Sequence, residues 1–231
     1  MPENKKPIIF QQGAPKSASS FCAQLLREIA AQNGGRQSEA EKILGGHSKG
    51  GFVDNLGSCK EKLQLLPELS VVKTHLRPYS AEGMLERGEA VAFVTFRDPL
   101  DSVQSLLDHA DAARETGKQE FTYVKSVTQA AKIIQWHISH SIIWLRNSNA
   151  YPVFYEDLKN DPLGTATFMA KKTGVSVDEE RIKDLFKDKS QIRRFNIGKA
   201  GRGRALLDTA EGAEAARIFS VFYHHEKWIQ S

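Results

Sequence analysis

Residues Ala90–Phe96 read AVAFVTF, an almost unbroken apolar run that ends just before the pair Asp98-Pro99. A strand with one face in water alternates apolar and polar residues, whereas a continuous apolar run is typical of a strand covered on both faces. Strands of that kind belong to parallel sheets packed between two layers of helices. This segment therefore constrains the fold more than any other feature of the sequence.

The rest of the chain alternates strand and helix patterns around this run. Short apolar segments predict strands at Pro7–Gln11, Ser70–Thr74 and Tyr151–Tyr155, and steps of three and four predict helices at Phe21–Ala31, Leu100–Ala113, Tyr123–Arg146, Pro162–Thr173 and Ala213–Ile229. The alternation predicts a three-layer α/β fold with a central parallel sheet flanked by helices, in a single domain over residues 1–231. The glycine-rich stretch Asn33–Gly57 is predicted to be a long substrate loop.

Composition narrows the function classes. Of 231 residues, 40% are hydrophobic and 26% charged, which excludes wholesale disorder, and two cysteines exclude a disulfide scaffold or a four-cysteine zinc site. The apolar run Ile8–Phe10 is too short for a signal peptide or a membrane span, so we expect a cytoplasmic protein. A net charge of +4 permits an anionic ligand without requiring nucleic acid.

The turn after the first predicted strand, Gly13–Ser20, has the make-up of an anion site. It combines Lys16 with the hydroxyls of Ser17, Ser19 and Ser20 directly before a helix, whose first N–H groups favour negative charge. We expect Ser19 or Ser20 to cap that helix. The glycine that precedes the lysine in a Walker loop is missing, and a plain connection is the alternative interpretation.

The other predicted strands also end in polar residues. Lys73 and His75 follow the second strand, Arg97 follows the third, and Tyr155 ends the fourth. Ligands of open α/β sheets bind at the carboxyl ends of the strands, where these side chains are expected to meet.

Together these segments resemble the motifs of sulfotransferases that use 3′-phosphoadenosine 5′-phosphosulfate (PAPS), in the same order and at similar spacing from residue 8 to about 175. Pro15-Lys16-Ser17-Ala18-Ser19-Ser20-Phe21 resembles PKSGTTW, Lys73-Thr74-His75-Leu76 resembles KTHLP, Arg97 to Ser105 resembles RNPKDVAVS, and Tyr155-Glu156-Asp157-Leu158-Lys159 resembles YEDLK. The resemblance implies a P-loop-like fold and sulfuryl transfer from PAPS, leaving adenosine 3′,5′-bisphosphate (PAP).

The resemblance also implies residue roles. His75 would be the general base, Lys16 would stabilise the leaving phosphate oxygen, and Lys73 would help hold the sulfuryl oxygens. The loop would hold the 5′-phosphosulfate, Arg97 and Ser105 would hold the 3′-phosphate, and Phe21 would stack on adenine or belong to the core. The cofactor-binding set is predicted to be Pro15, Lys16, Ser17, Ala18, Ser19, Ser20, Phe21, Arg97, Ser105, Tyr155, Gly198, Lys199 and Arg202. No metal is expected, because the lysines supply the positive charge.

The C-terminal third departs from the family pattern RKGxxGDW. Here Asn196-Ile197-Gly198-Lys199-Ala200-Gly201 keeps the two glycines but lacks the leading Arg-Lys pair. The missing charge is open between four basic residues of the segment, Arg193, Arg194, Lys199 and Arg202.

We therefore predict a PAPS-dependent sulfotransferase acting on a hydroxyl or amine of a small-molecule or glycan acceptor. Two segments are expected to lie against the acceptor, namely 34–57 and His109–Phe121. Two alternatives remain: a P-loop kinase using ATP and Mg²⁺, and a non-catalytic module that binds PAPS or PAP. No membrane span or nucleic-acid partner is expected, and the oligomeric state is open.

Overall fold

The computed structural model describes residues 5–45, 52–187 and 201–223. Its centre is a five-stranded sheet in the order β2-β3-β1-β4-β5, in which every neighbouring pair is parallel. The strands are β1 (Ile8–Gly13), β2 (Phe52–Val53), β3 (Val71–Thr74), β4 (Ala90–Phe96) and β5 (Ala150–Phe154). Because all five run the same way, their carboxyl ends share one edge of the sheet.

The helices of the described chain follow the strands in alternation. They are α1 (Ser19–Gln32), α2 (Gln37–Leu44), α3 (Lys60–Gln64), α4 (Glu82–Glu86), α5 (Pro99–Glu115), α6 (Val127–Trp144), α7 (Tyr155–Asn160), α8 (Pro162–Thr173), α9 (Glu179–Lys187) and α10 (Ala210–Ile218). No helix among the described residues is long and apolar enough to cross a membrane.

Both faces of the sheet are covered, as the apolar strands require. Every residue of β1 and of β4 is buried. Ile9 belongs to a core formed with α1, α8 and α9, whereas the next residue, Phe10, belongs to a second core formed with α5, α6 and α10. Successive strand residues point to opposite faces, so this split places the sheet between two helical layers. The predicted three-layer α/β fold is confirmed.

The glycine-rich stretch differs from its prediction as a loop. Residues 33–57 contain α2 and the edge strand β2, with residues 46–51 outside the described part. Gln37 explains the ordering of α2, because its side-chain amide accepts from the Val71 N–H at 2.9 Å and donates to the Val71 carbonyl at 3.1 Å. The helix is thus hydrogen-bonded to β3 through one side chain, a long-range contact that local composition does not reveal.

The start of α1 also differs from its prediction. Neither Ser19 nor Ser20 is the cap: the N-cap is Ala18, which makes no side-chain capping bond and adopts a left-handed conformation with φ 67°. The two serines lie in the first helical turn instead. The pair Asp98-Pro99 ends the extended segment and begins α5. Asp98 caps the helix by accepting from the Asp101 N–H.

Candidate nucleotide-binding and catalytic site

The turn from β1 into α1, called here the anion loop (Gly13–Ser20), passes very close to β4. A side chain at Gly13 would place its Cβ 1.9 Å from the Thr95 hydroxyl oxygen, so only glycine fits. Lys16 and Ala18 both have positive φ, 69° and 67°. Alternating right- and left-handed residues turn successive backbone N–H groups inward, which creates a concavity for an anion at the start of a helix.

The hydroxyls of the loop divide into two kinds. The buried Ser17 hydroxyl donates to the Ala14 carbonyl at 2.7 Å and lies 2.8 Å from the Thr95 hydroxyl, so it fastens the loop to β4. Ser20 instead accepts from the Lys73 ammonium at 2.8 Å. That bond brings the end of β3 to the loop, as the sequence predicts for the lysine.

Lys16 lies against α5. Its Nζ is 3.1 Å from Nδ1 of His109, whose Nε2 is 3.3 Å from a carboxylate oxygen of Glu120. Since an ammonium only donates, His109 accepts at Nδ1 and carries its proton at Nε2, facing Glu120. His109 is therefore part of α5 and a neighbour of the candidate catalytic lysine, which corrects the prediction that an acceptor loop begins at this residue.

His75 is bound to the backbone of the anion loop. Its Nδ1 makes a short hydrogen bond with the Gly13 carbonyl. Because a carbonyl only accepts, Nδ1 carries the proton and the neutral ring has its lone pair on Nε2. This is the tautomer that a general base requires. The ring is half-buried and lies 5.3 Å from the ring of Phe52 and 5.6 Å from that of His137.

Helix α6 holds the main chain of the His75 segment. The Nδ1 atoms of His137 and His140 lie 3.1 and 3.2 Å from the His75 carbonyl, and the Trp144 indole donates to the Leu76 carbonyl at 2.7 Å. Burial lowers the pKa of His137 to about 4 and also lowers the pKa of His140. Both rings are thus neutral near pH 7 and act as donors to a carbonyl.

Arg97, directly after β4, lies between the anion loop and α5. Its guanidinium is 4.3 Å from the ring centre of Tyr155, donates to the Lys16 carbonyl at 3.4 Å and lies 3.5 Å from Asp101. Tyr155 therefore acts on this site through Arg97, whose guanidinium lies over the tyrosine ring. Ser105 is buried two turns further along α5.

The remaining predicted residues have mixed outcomes. Phe21 packs edge-on against Phe186 with ring centres 4.9 Å apart, which favours its core interpretation. Arg202 forms an ion pair with Asp108 at 2.7 Å on α5. Gly198 and Lys199 lie outside the described residues, as do Arg193, Arg194 and the Asn196-Ile197 pair.

The sequence analysis gives no site role to Asp101 or His137 and places His109 in an acceptor segment. His109 and Asp101 lie on α5 one helical turn beyond Ser105 and beyond Arg97, a spacing that indicates a shared face of the helix. His137 is brought to the site by the packing of α6, which its local sequence does not show. Within the described residues no group of three or more histidine, cysteine or acidic side chains could hold a metal ion.

A parallel sheet with a lysine-bearing turn after the central strand, and with a histidine and an arginine after the strands on either side of it, is the arrangement of a P-loop-like α/β fold. A family model described as "Sulfotransferase domain" matches residues 7–193. The match covers most of the chain, and the protein belongs to the sulfotransferase domain family, as the sequence motifs predict.

Solved structures agree at the level of the fold. A retinol dehydratase crystallised with retinol and PAP has a TM-score of 0.61 at 17% identity, with 94% of this chain and 81% of that chain covered. Mouse sulfotransferase SULT7A1, complexed with PAP, has 0.62 at 13%, covering 93% and 83%. Sulfotransferase STF9 from Mycobacterium avium has 0.55 at 13%, covering 94% and 76%. No curated protein sequence matches the chain.

Proposed function

We propose that this protein transfers a sulfuryl group from PAPS to a hydroxyl or amine of a small-molecule or glycan acceptor, as a single cytoplasmic domain. One observation carries the proposal: His75 and Arg97 are both bound to the same short piece of backbone. His75 bonds the Gly13 carbonyl, and Arg97 bonds the Lys16 carbonyl. A ligand held by this loop would therefore face both side chains.

The chemistry of the donor set fits a nucleotide with two phosphate positions. Loop N–H groups, Lys16 and Ser20 offer one anion site, while Arg97 and Ser105 offer a second beside α5. Two of the structurally similar proteins are complexes with PAP, which supports the same ligand here. When bound, PAPS would supply the sulfuryl group and a leaving phosphate.

The residues of this chain would handle the proton and the charge. His75 would accept the acceptor's proton at Nε2 as the acceptor oxygen or nitrogen attacks, and its Nδ1 bond to Gly13 keeps that tautomer. The ammonium of Lys16 would stabilise the negative charge that grows on the leaving oxygen. Lys73, held at Ser20, would add positive charge beside the sulfuryl oxygens.

Calorimetry with PAP, AMP and ATP tests the ligand assignment. One charge-assisted contact is worth about 1.5–3 kcal/mol, so PAP is expected to bind roughly ten- to a hundred-fold more tightly than AMP. Replacing Arg97 by Met should erase that preference, whereas Arg87→Met, at an exposed ion pair with Glu89, should preserve it. Equal affinities for PAP and AMP in the parent protein would remove the 3′-phosphate assignment.

Turnover with labelled PAPS and an acceptor pool separates the proposal from its rivals. Sulfated product without added metal supports the transferase. Tight PAP binding without product from any acceptor supports the non-catalytic module, and Mg²⁺-dependent phosphorylation from ATP supports the kinase.

A further inference from the structure

Residues 201–208, which follow the undescribed segment 188–200, dock on the first turn of α5. The two carboxylate oxygens of Asp101 accept from the backbone N–H groups of Gly201 at 2.8 Å and of Gly203 at 2.7 Å. Asp101 is only 2% exposed. A buried carboxylate needs such partners, because an unpaired charge away from water is very costly.

At Gly203 the fit between this segment and the helix leaves no space for a side chain. A Cβ there would lie 2.2 Å from the carbonyl carbon of Leu100, which is main chain and cannot swing aside. Gly201 has φ +81°, a conformation that other residues adopt at a cost. Gly203 thus allows main chain to lie directly on main chain, Gly201 allows the turn that precedes it, and Asp101 holds both.

The same carboxylate faces the phosphate side of the site. Asp101 lies 3.5 Å from Arg97, which in turn bonds the Lys16 carbonyl of the anion loop. The two glycine bonds are shorter than the arginine contact, so the lone pairs of Asp101 are directed mainly at the segment. If the segment left, the carboxylate would turn to Arg97 and compete with any anion bound there.

We propose that Asp101 is a positioning residue that couples nucleotide binding to docking of residues 201–208, called here the C-terminal latch. When the latch is docked, its N–H groups bond the Asp101 carboxylate, which then competes less with a phosphate for Arg97. Docking of the latch should therefore raise nucleotide affinity, and bound nucleotide should stabilise the docked latch. Such coupling is reciprocal: whatever tightens the nucleotide also tightens the latch. The inference rests on the proposed assignment of Arg97 to the 3′-phosphate.

Asp101→Asn in the full chain tests the coupling. Asparagine keeps the size of aspartate but opposes one glycine N–H with an amide donor. Two quantities are measured: the affinities for PAP and AMP by calorimetry, and the rate of tryptic cleavage after Arg202 and Arg204 with and without saturating PAP. In the parent protein, PAP should slow cleavage at both arginines. In the variant no carboxylate remains to compete for Arg97, so PAP affinity should not fall, but saturating PAP should no longer slow cleavage because the link between nucleotide and latch is gone.

Gly203→Ala tests the other half of the coupling, since its methyl group displaces the latch while leaving every charge in place. The Asp101 carboxylate is then available to Arg97, so PAP should bind about ten-fold more weakly and should no longer slow cleavage. Asp161→Asn is the matched control, because Asp161 also accepts a glycine N–H, that of Gly164 at 2.8 Å, but caps the distant helix α8. The control should change the melting temperature only.

The outcomes separate the coupling from the ligand assignment. A parent protein that binds PAP and AMP equally would overturn the assignment of Arg97 to the 3′-phosphate, and the coupling, which rests on that assignment, would be overturned as well. A parent that prefers PAP, together with an Asp101→Asn protein whose latch PAP still protects, overturns the coupling alone. If Asp101→Asn does not fold, Gly203→Ala decides: parent-like PAP affinity and protection contradict the proposal, and loss of both supports it.

Discussion

The anion loop and the His75 segment lie side by side at the sheet edge, yet they are held in different ways. The loop is shaped mainly by its own backbone and by strand β4, through Gly13, Ser17 and two residues with positive φ. The His75 segment depends on donors from α6, more than 60 residues later in the chain, which bond its carbonyls. The anion loop is thus fastened to a strand within the sheet, whereas the His75 segment is held by a helix that covers the sheet.

This difference predicts that the two regions fail differently. Changes to the loop should lower nucleotide affinity, and at Lys16 they should lower turnover even more, because its charge would meet the leaving oxygen. Changes to the His75 segment should lower turnover while the nucleotide still binds. The first two changes below test this separation, and the other two test how each region is held.

The largest effect is expected for His75→Asn. Loss of a general base typically costs about 10²–10⁴-fold in rate, so most turnover should disappear. PAP affinity should stay close to that of the parent, because the phosphate donors proposed here are Lys16, Ser20 and Arg97, whereas the His75 ring bonds the Gly13 carbonyl. Turnover, PAP affinity and melting temperature are measured on one sample. A folded variant with near-parental turnover would falsify the base assignment.

Lys16→Met should come next, with turnover lower by on the order of 10²-fold and a smaller loss of PAP affinity. Methionine keeps the length of the side chain and removes the charge that would meet the leaving oxygen. Lys132→Met, at an exposed position on α6, is the control and should change neither quantity. If Lys16→Met weakened PAP binding alone, with full turnover at saturation, the lysine would be an anchor and no more.

A smaller, pH-dependent effect is expected for His137. Burial lowers the pKa of His137 to about 4, whereas an unfolded histidine titrates near 6.5. Between these values the unfolded chain binds more protons than the folded protein, so the free energy of unfolding should fall as the pH drops from about 6.5 to 4. Above about pH 6.5 the whole stabilising contribution of the neutral ring should be present. His137→Asn should flatten this slope in denaturant titrations. Some slope should remain, because the pKa of His140 is also lowered. A variant with the parental slope would contradict the assignment.

The smallest effect is expected for Ala18→Gly. A left-handed alanine costs about 1–2 kcal/mol, and the extra freedom of glycine in the unfolded chain returns part of it, so a gain of up to about 1 kcal/mol is expected. Ala31→Gly, exposed and within the same helix, should instead lose about 0.5–1 kcal/mol. Equal losses at both positions would show that the loop does not strain Ala18.

The sequence was informative where the chemistry is local. The strand runs, the loop and the strand-end residues Lys73, His75 and Arg97 follow from neighbouring residues, and the structure brings these side chains to one edge. What local patterns did not predict depends on distant partners. Gln37 forms hydrogen bonds with the backbone of β3. His109 contacts Lys16, 93 residues earlier in the chain, and Asp101 accepts hydrogen bonds from glycines 100 and 102 residues later. Periodicity identifies the face of a helix but not the partner on the other side.

The position of β1 in the sheet has a consequence for synthesis of the chain. β1 leaves the ribosome first, yet it is the central strand, and its neighbours are β3 and β4: Ile9 pairs with Val71 and with Val91. Neither edge of this buried strand has its partner until residue 74 has emerged, and the edge that pairs with β4 stays open until residue 96 has emerged. Unpaired strand edges promote aggregation. The site should also form late, because the anion loop is fastened through Ser17 to Thr95 of β4, which is synthesised later. Nascent chains cut short before that point are therefore expected to be aggregation-prone and unable to bind nucleotide.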